Sequence, residues 1–271
     1  MAFCDWSSVC SSDLPACGSG HILVVAYDVL KAIYLERGYQ PRAIPKLILE
    51  KNLYGLDIDD RAAQLAAFAL LMKARADDRK LFTDPPKLNV LSLQESKGLD
   101  LDELATHLGP FGIQRAPLKE LLDAFEHAKT FGSLIHIPEE LNGQLVAMTA
   151  SLQQALSDGD LYAKQAAQDL LPLVWQALVL GMQFDAVVAN PPYMGGKFLT
   201  PLLKNFLNAE YAGFEKDLFS AFISRDLSFA KTSGQLGYMS PFVWMFISSY
   251  EDLRSYLIDN ALQTSLIQLE Y

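Results

Sequence analysis

The stretch Ala189-Asn190-Pro191-Pro192-Tyr193 follows an apolar run that begins at Phe184 and stops it abruptly, because proline has no N–H to give a sheet ladder. Asn190 carries an acceptor oxygen and a donor nitrogen. The peptide carbonyl before a proline keeps its lone pairs while the neighbouring donors are gone. Tyr193 adds an aromatic face on which a planar ring can stack. An amino nitrogen conjugated to a ring is a poor nucleophile. Two acceptors on its hydrogens would help to pyramidalise it and aim its lone pair at an electrophile. The four residues therefore suit group transfer to a planar amine. The tetrapeptide alone also fits a strand-terminating turn with a core tyrosine.

Two further turns have chemical content. In Pro15-Ala16-Cys17-Gly18-Ser19-Gly20 the glycines permit a tight turn and close approach of backbone to a ligand. The helical spacing of residues 21–38 would point unpaired N–H groups into the same space. A glycine-rich connector that binds nothing is the other reading. Cys17 has no evident partner base and reads as a small packing residue rather than a nucleophile. In Leu56-Asp57-Ile58-Asp59-Asp60, a carboxylate at a strand end could take both hydroxyls of a ribose. Asp57 is the candidate, because Asp59 and Asp60 stand where a helix favours acids; a simple turn acid is the alternative.

These turns need strands to carry them. Strand-like segments lie at 52–58, 87–93, 184–189, 235–240 and 263–270. Helical segments lie at 21–38, 59–76, 199–211, 217–234 and 249–261, with a further short helix in 40–52. Residues 97–180 are mostly helical by period, with breaks at Gly109-Pro110, Gly132 and Asp158-Gly159. Alternation of this kind predicts an α/β fold built on a doubly wound, mainly parallel sheet. Ligands of such sheets bind at the carboxyl ends of the strands. Residues 1–13 have no apolar period and make a poor central strand.

Composition sets limits. Of the 271 residues 51% are hydrophobic, ordinary for a globular protein. The longest apolar stretch, near 170–182, is interrupted by Gln176 and too short to span a bilayer. Residues 1–20 lack the apolar region of a secretory signal, which points to the cytoplasm. The 3 cysteines all fall in the first 17 residues and form neither a disulfide framework nor a zinc pattern. The net charge of −10 is not the usual footprint of a nucleic-acid binder.

The order of the three turns resembles that of the adenine-specific DNA methyltransferases that use S-adenosylmethionine. The wording of "PACGSGHILVVAYDVL", "NLYGLDIDDRAAQLAAFAL", "VVANPPYMGGK" and "DLFSAFISRDL" is similar to the phage-defence (BREX) methyltransferases of the PglX type, from residue 15 to the end. The resemblance implies a Rossmann-like S-adenosylmethionine-dependent methyltransferase fold with a helical insert, acting on the N6 amino group of an adenine flipped out of double-stranded DNA. Residues 15–96 would form the cofactor-binding half, 97–181 the insert and 182–271 the catalytic half. Pro15, Ala16, Cys17, Gly18, Ser19 and Gly20 would cradle the methionine part, Asp57 would hold the ribose and Ile58 would lie on the cofactor's adenine. Ser92 stands where the family often has an acid near that adenine. Asn190 and Pro191 would hold the target amine, with Pro192 shaping the turn and Tyr193 stacking on the base. No metal and no membrane is implied; other defence proteins are expected partners.

This chain departs from the pattern at two places. Leu14 holds the place of the acid expected before Pro15, with Asp13 one residue early, so residues 1–14 read as a leader foreign to the family. Nothing like a target-recognition domain follows, and DNA contacts are expected from other segments. Two rival readings share these features. Protein glutamine methyltransferases also use Asn-Pro-Pro-Tyr, though PACGSGH and the long insert argue against them. A truncated subunit that keeps the fold without activity is the other.

Overall fold

The structure, a computed structural model, describes residues 17–268 and the backbone of residues 9–11. Pro15 and Ala16 therefore lie outside the described residues. In chain order the regular elements are β1 (Val9–Ser11), α1 (His21–Glu36), α2 (Ile44–Leu47) with a π-helical turn after it (Ile48–Asn52), β2 (Leu53–Asp57), α3 (Asp60–Asp77) and β3 (Asn89–Ser92). Then come α4 (Leu101–Leu108), α5 (Arg115–Ala124), α6 (Ala128–Phe131), α7 (Glu139–Asp158) and α8 (Leu161–Leu180). β4 (Phe184–Ala189), α9 (Pro201–Glu210), α10 (Leu218–Phe229), β5 (Ala230–Tyr238) and α11 (Glu251–Asn260) complete the set.

The five strands form one sheet in the order β3-β2-β1-β4-β5, and every pairing is parallel. This is a doubly wound order, and the chain reverses direction of winding between β1 and β4. Side chains of a strand alternate between its faces. Along β2, Leu53 packs with α1 and α3, whereas Leu56 and the half-buried Tyr54 join the core built from α4–α8, α10 and β4. Gly55 faces α1 so closely that an added Cβ would lie 3.1 Å from Leu23 Cδ1. Helices thus cover both faces. In β4, Phe184, Val187 and Ala189 are buried, as expected for a strand covered on both sides.

The helices of 101–180 share one apolar core with the sheet rather than forming a body of their own. Their polar ties are specific. Gln176 of α8 is 1% exposed; its Nε2 donates to the Gln94 carbonyl and its Oε1 accepts the Gln94 N–H, both at 2.8 Å. Arg225 of α10 is also buried and its guanidinium donates to the carbonyls of Ser133, Ile135 and Leu180 at 2.8–2.9 Å. Buried polar groups of this kind lose far more when one partner is removed than the pair contributes in net stability. The helical breaks expected at Gly109, Gly132 and Asp158 coincide with the ends of α4, α6 and α7.

The structure corrects three expectations. The first concerns the start of the chain: Val9–Ser11 pairs with β2 on one side and β4 on the other, at the centre of the sheet. Parallel pairing uses only main-chain groups, so a segment with no apolar period can still fill that place. The second concerns α10, which ends at Phe229, with β5 starting at Ala230. The register jumps from Phe184↔Ala230 to Ala186↔Gln235, and Ser233 takes a left-handed φ of 69°. The extra residues of Lys231-Thr232-Ser233-Gly234 are thus accommodated as an irregularity inside a strand rather than as a helix end. The third is the strand expected at 263–270: residues 261–268 have no regular structure, and 269–271 lie outside the described residues.

Candidate functional site

Because all strands run parallel, their carboxyl ends share one edge, and the register fixes which residues stand level there. Cys10 of β1 pairs with both Tyr54 and Val187. Asp57 and Asn190 each lie three residues beyond those partners, so they end the strands at matching heights. Asp57 also pairs with Ser92. One strand separates Asp57 from Asn190, which places them about 10 Å apart across the end of β1 at the usual strand spacing.

Asp57 is 1% exposed. Its Oδ2 accepts the Gly18 N–H at 3.1 Å and its Oδ1 accepts the Asp59 N–H at 2.7 Å. The glycine turn and the end of β2 are thereby joined through one carboxylate. Burial pushes the Asp57 carboxyl above the ordinary range, opposed by those backbone hydrogen bonds. Gly18 has φ +53°, and an added Cβ would meet nothing within 4 Å. Gly20, with φ +78°, does the opposite: its Cβ would sit 2.9 Å from Ala66 Cα, so α1 starts hard against α3. Only glycine meets both the dihedral and the contact there. Cys17 is 2% exposed and belongs to the apolar core, as the packing reading expected.

This pocket end suits the nucleoside part of a cofactor. Open space in front of Gly18 lies next to a buried carboxylate, and a carboxylate is the acceptor that the hydroxyls of a ribose diol require. Ile58, half-buried, follows at the mouth. At the adjoining end of β3, Ser92 Oγ donates to Asp60 Oδ1. Gln94 Nε2 and Lys129 Nζ donate to the same oxygen at 2.9 and 2.8 Å. Lys129 also reaches the Ile58 carbonyl at 3.2 Å. Sequence reasoning treated Asp60 only as a helix-start acid and did not single out Lys129 at all. A lysine 69 residues away in sequence leaves no local signal.

At the other end, Pro191 is buried and Tyr193 is 54% exposed. The Tyr193 hydroxyl donates to Asn190 Oδ1 at 3.3 Å. The loop beyond is anchored to α10: Leu218 N–H donates to the Met194 carbonyl at 3.1 Å, Gly196 N–H donates to the Lys216 carbonyl at 3.2 Å, and Gly195 bridges Asp217. Asp217 caps α10 by accepting the Phe219 N–H at 3.3 Å, and burial raises its carboxyl. The conspicuous "DLF" wording is therefore the support of the Asn190 loop. Phe198, 79% exposed, lies in the loop after Tyr193; Lys197 beside it and Lys204 in α9 are also exposed. No helix among the described residues is long and apolar enough to cross a membrane.

Comparison with known proteins matches residues 51–271 to the Eco57I restriction-modification methylase family. The chain is 46% identical over 268 residues to the adenine-specific methyltransferase BrxX of Escherichia coli O9:H4 (strain HS), covering 91% of this chain and 22% of that protein. It is 34% identical over 246 residues to the adenine-specific methyltransferase PglX of Lacticaseibacillus casei (strain Zhang), covering 89% and 20%. A third relative is the type II restriction enzyme and methyltransferase RM.Eco57I of Escherichia coli, 28% identical over 177 residues. The chain spans about a fifth of the length of the curated relatives it matches.

Proposed function

Since this chain belongs to the Eco57I restriction-modification methylase family, we propose that it is the catalytic segment of a DNA adenine-N6 methyltransferase with a Rossmann-like cofactor fold, serving a BREX-like defence or a restriction-modification system. Methyltransferases of this family generally use S-adenosylmethionine. The observation that carries the reading is the level placement of Asp57 and Asn190 on one edge of a parallel sheet, separated by a single strand.

Asp57 would hold the ribose hydroxyls, with the glycine turn lying along the methionine part. When bound, the cofactor supplies a methyl group on a sulfonium, an already activated leaving group. The target adenine must leave its helix to enter. Asn190 Oδ1 and the Pro191 carbonyl would accept its two N6 hydrogens and aim the nitrogen's lone pair across the end of β1. Tyr193 would stack on the base, and to give Asn190 Oδ1 wholly to the substrate its hydroxyl must turn away. No general base is required before transfer, where positioning and hydrogen bonding provide the acceleration, and the methylated nitrogen would then lose its extra proton to water. Segments outside this chain would supply most DNA contacts, which accommodates a catalytic piece of net charge −10.

The test uses the full-length protein that contains this segment, a tritiated methyl donor and an adenine-containing duplex. The expected result is label in N6-methyladenine. Label in a Gly-Gly-Gln peptide instead, or none in DNA, would contradict the reading.

A further inference from the structure

The turn that follows the target loop is fixed by main-chain bonds and carries an exposed aromatic ring. Its four residues are Gly195-Gly196-Lys197-Phe198, closed by the Phe198 N–H donating to the Gly195 carbonyl at 2.9 Å. The start of α10 holds it from behind: Gly196 N–H donates to the Lys216 carbonyl, Leu218 N–H donates to the Met194 carbonyl, and Gly195 bridges Asp217. On its far side Leu199 is buried and joins the core. The turn is thus tied where it begins and where it ends. Phe198 at its close is 79% exposed, more than any other phenylalanine among the described residues. A ring already in water, at a fixed place, can enter an apolar gap without giving up a buried position in the core. Lys197, beside it, is exposed as well.

The turn also keeps Phe198 close to the target site. Cα atoms at the two ends of such a turn lie within about 7 Å, and Tyr193 stands two residues before it, so the Tyr193 and Phe198 Cα atoms are at most about 15 Å apart. That is the order of the ~12 Å width of a major groove. One side chain can therefore hold an extruded base while the other reaches the stack it left. Extrusion is uphill, because the base gives up its pair and both stacking neighbours. The gap left behind has flat, apolar walls, and phenylalanine is among the residues that proteins wedge between base steps. Resting on the methyl-transfer reading above, we propose that Phe198 enters that gap, stacks on the flanking bases and holds the target adenine in its extruded position. Lys197 would then stand beside the duplex backbone, where its ammonium can meet a phosphate. Phe198 is a positioning residue in this scheme: it touches neither the methyl donor nor the accepting nitrogen and acts on them through the duplex.

The experiment uses the full-length protein and a duplex that it methylates, with 2-aminopurine in place of the target adenine; this base brightens when it leaves the stack. Binding of the unaltered protein should raise the emission. Phe198→Ala should lower that rise and slow single-turnover transfer to the adenine duplex by about 5–100-fold, the range for loss of one base-stacking ring. Phe198→Trp, which keeps a ring, should retain both. Affinity for S-adenosylmethionine and the thermal unfolding midpoint should be unchanged in either variant, since the side chain is exposed. A duplex with an abasic site opposite the adenine, from which extrusion is easier, should restore transfer by Phe198→Ala and leave Asn190→Ala inactive. Undiminished emission with Phe198→Ala, or a transfer deficit of the same size on the abasic duplex, would overturn the proposal while leaving the methyltransferase reading intact. Absence of transfer by the unaltered protein to any duplex would defeat both together.

Discussion

Asp57 is 1% exposed and its two carboxylate oxygens take backbone N–H groups from two different loops, whereas Tyr193, in the loop that follows β4, is 54% exposed and meets Asn190 across a long 3.3 Å hydrogen bond. The first end is assembled by the fold itself. Glycine geometry, a buried acid and a close helix contact would, under the proposed function, leave little to rearrange for a nucleoside. The second end is held from behind, through the Met194 and Gly196 contacts with the start of α10, and presents its working groups outward. A substrate that must be turned out of a duplex needs an open approach. A cofactor that is bound for every turnover gains from a preformed site, because ordering costs are met at folding rather than at binding. Changes at the two ends should therefore differ in kind: the cofactor end links stability to cofactor affinity, and the target end affects substrate binding and turnover while leaving cofactor affinity alone.

The largest expected effect separates them most sharply. Asn190→Ala in the full-length protein should cut methyl transfer by about 10²–10³-fold or more, the loss seen when one directed hydrogen-bonding group is removed from a reacting centre. Its affinity for S-adenosylmethionine should stay within about twofold. Undiminished transfer, measured by single-turnover label incorporation, would refute the role given to Asn190. Asp57→Ala is the counterpart and should weaken cofactor affinity by about 10–100-fold, consistent with hydrogen bonds to a charged group. Because burial raises this carboxyl, it should protonate at a higher pH than an ordinary aspartate. Cofactor affinity in the unaltered chain should then begin to fall, as pH is lowered, before the ordinary carboxylate range near pH ~4 is reached.

Gly20→Ala probes the packing that holds the cofactor end together. A Cβ at φ +78° lying 2.9 Å from Ala66 Cα must displace backbone, at a cost of about 1–3 kcal/mol. Thermal unfolding should show the loss together with weaker cofactor binding; an unchanged midpoint would mean that α1 and α3 are not held as closely as described. The smallest effect belongs to Tyr193→Phe. It removes only the long hydrogen bond to Asn190 and keeps the stacking face, so transfer should change by less than about threefold. Tyr193→Ala should cost about 1–3 kcal/mol of substrate affinity, the range for loss of a base-stacking ring. If the phenylalanine variant were as damaged as the alanine one, the hydroxyl rather than the face would carry the role.

How much of this was legible in the sequence varies by element for physical reasons. The α/β alternation and the breaks at Gly109, Gly132 and Asp158 were readable because period and turn residues are local signals. So was the placement of Asp57 at a strand end, since Leu53–Asp57 carries its own apolar run. β1 was not, because Val9–Ser11 is selected by two neighbouring strands rather than by its own pattern. The start of β5 was missed because Ala230 to Ser233 continue a helical rhythm while pairing has already begun at Ala230. The bracket around Asp60 joins residues 60, 92, 94 and 129, and nothing in sequence spacing announces such long-range hydrogen bonds. The tie from Tyr193 to Asn190 spans three residues, yet it depends on the path the chain takes after Pro192, which side-chain types do not specify.

The most direct test of the account is a calorimetric titration of this chain with S-adenosylmethionine, with circular dichroism on the same sample. One saturable site in a folded protein, weakened by Asp57→Ala and untouched by Asn190→Ala, is the predicted result. A folded chain that binds no S-adenosylmethionine, or one whose binding depends on Asn190 and not on Asp57, would contradict it.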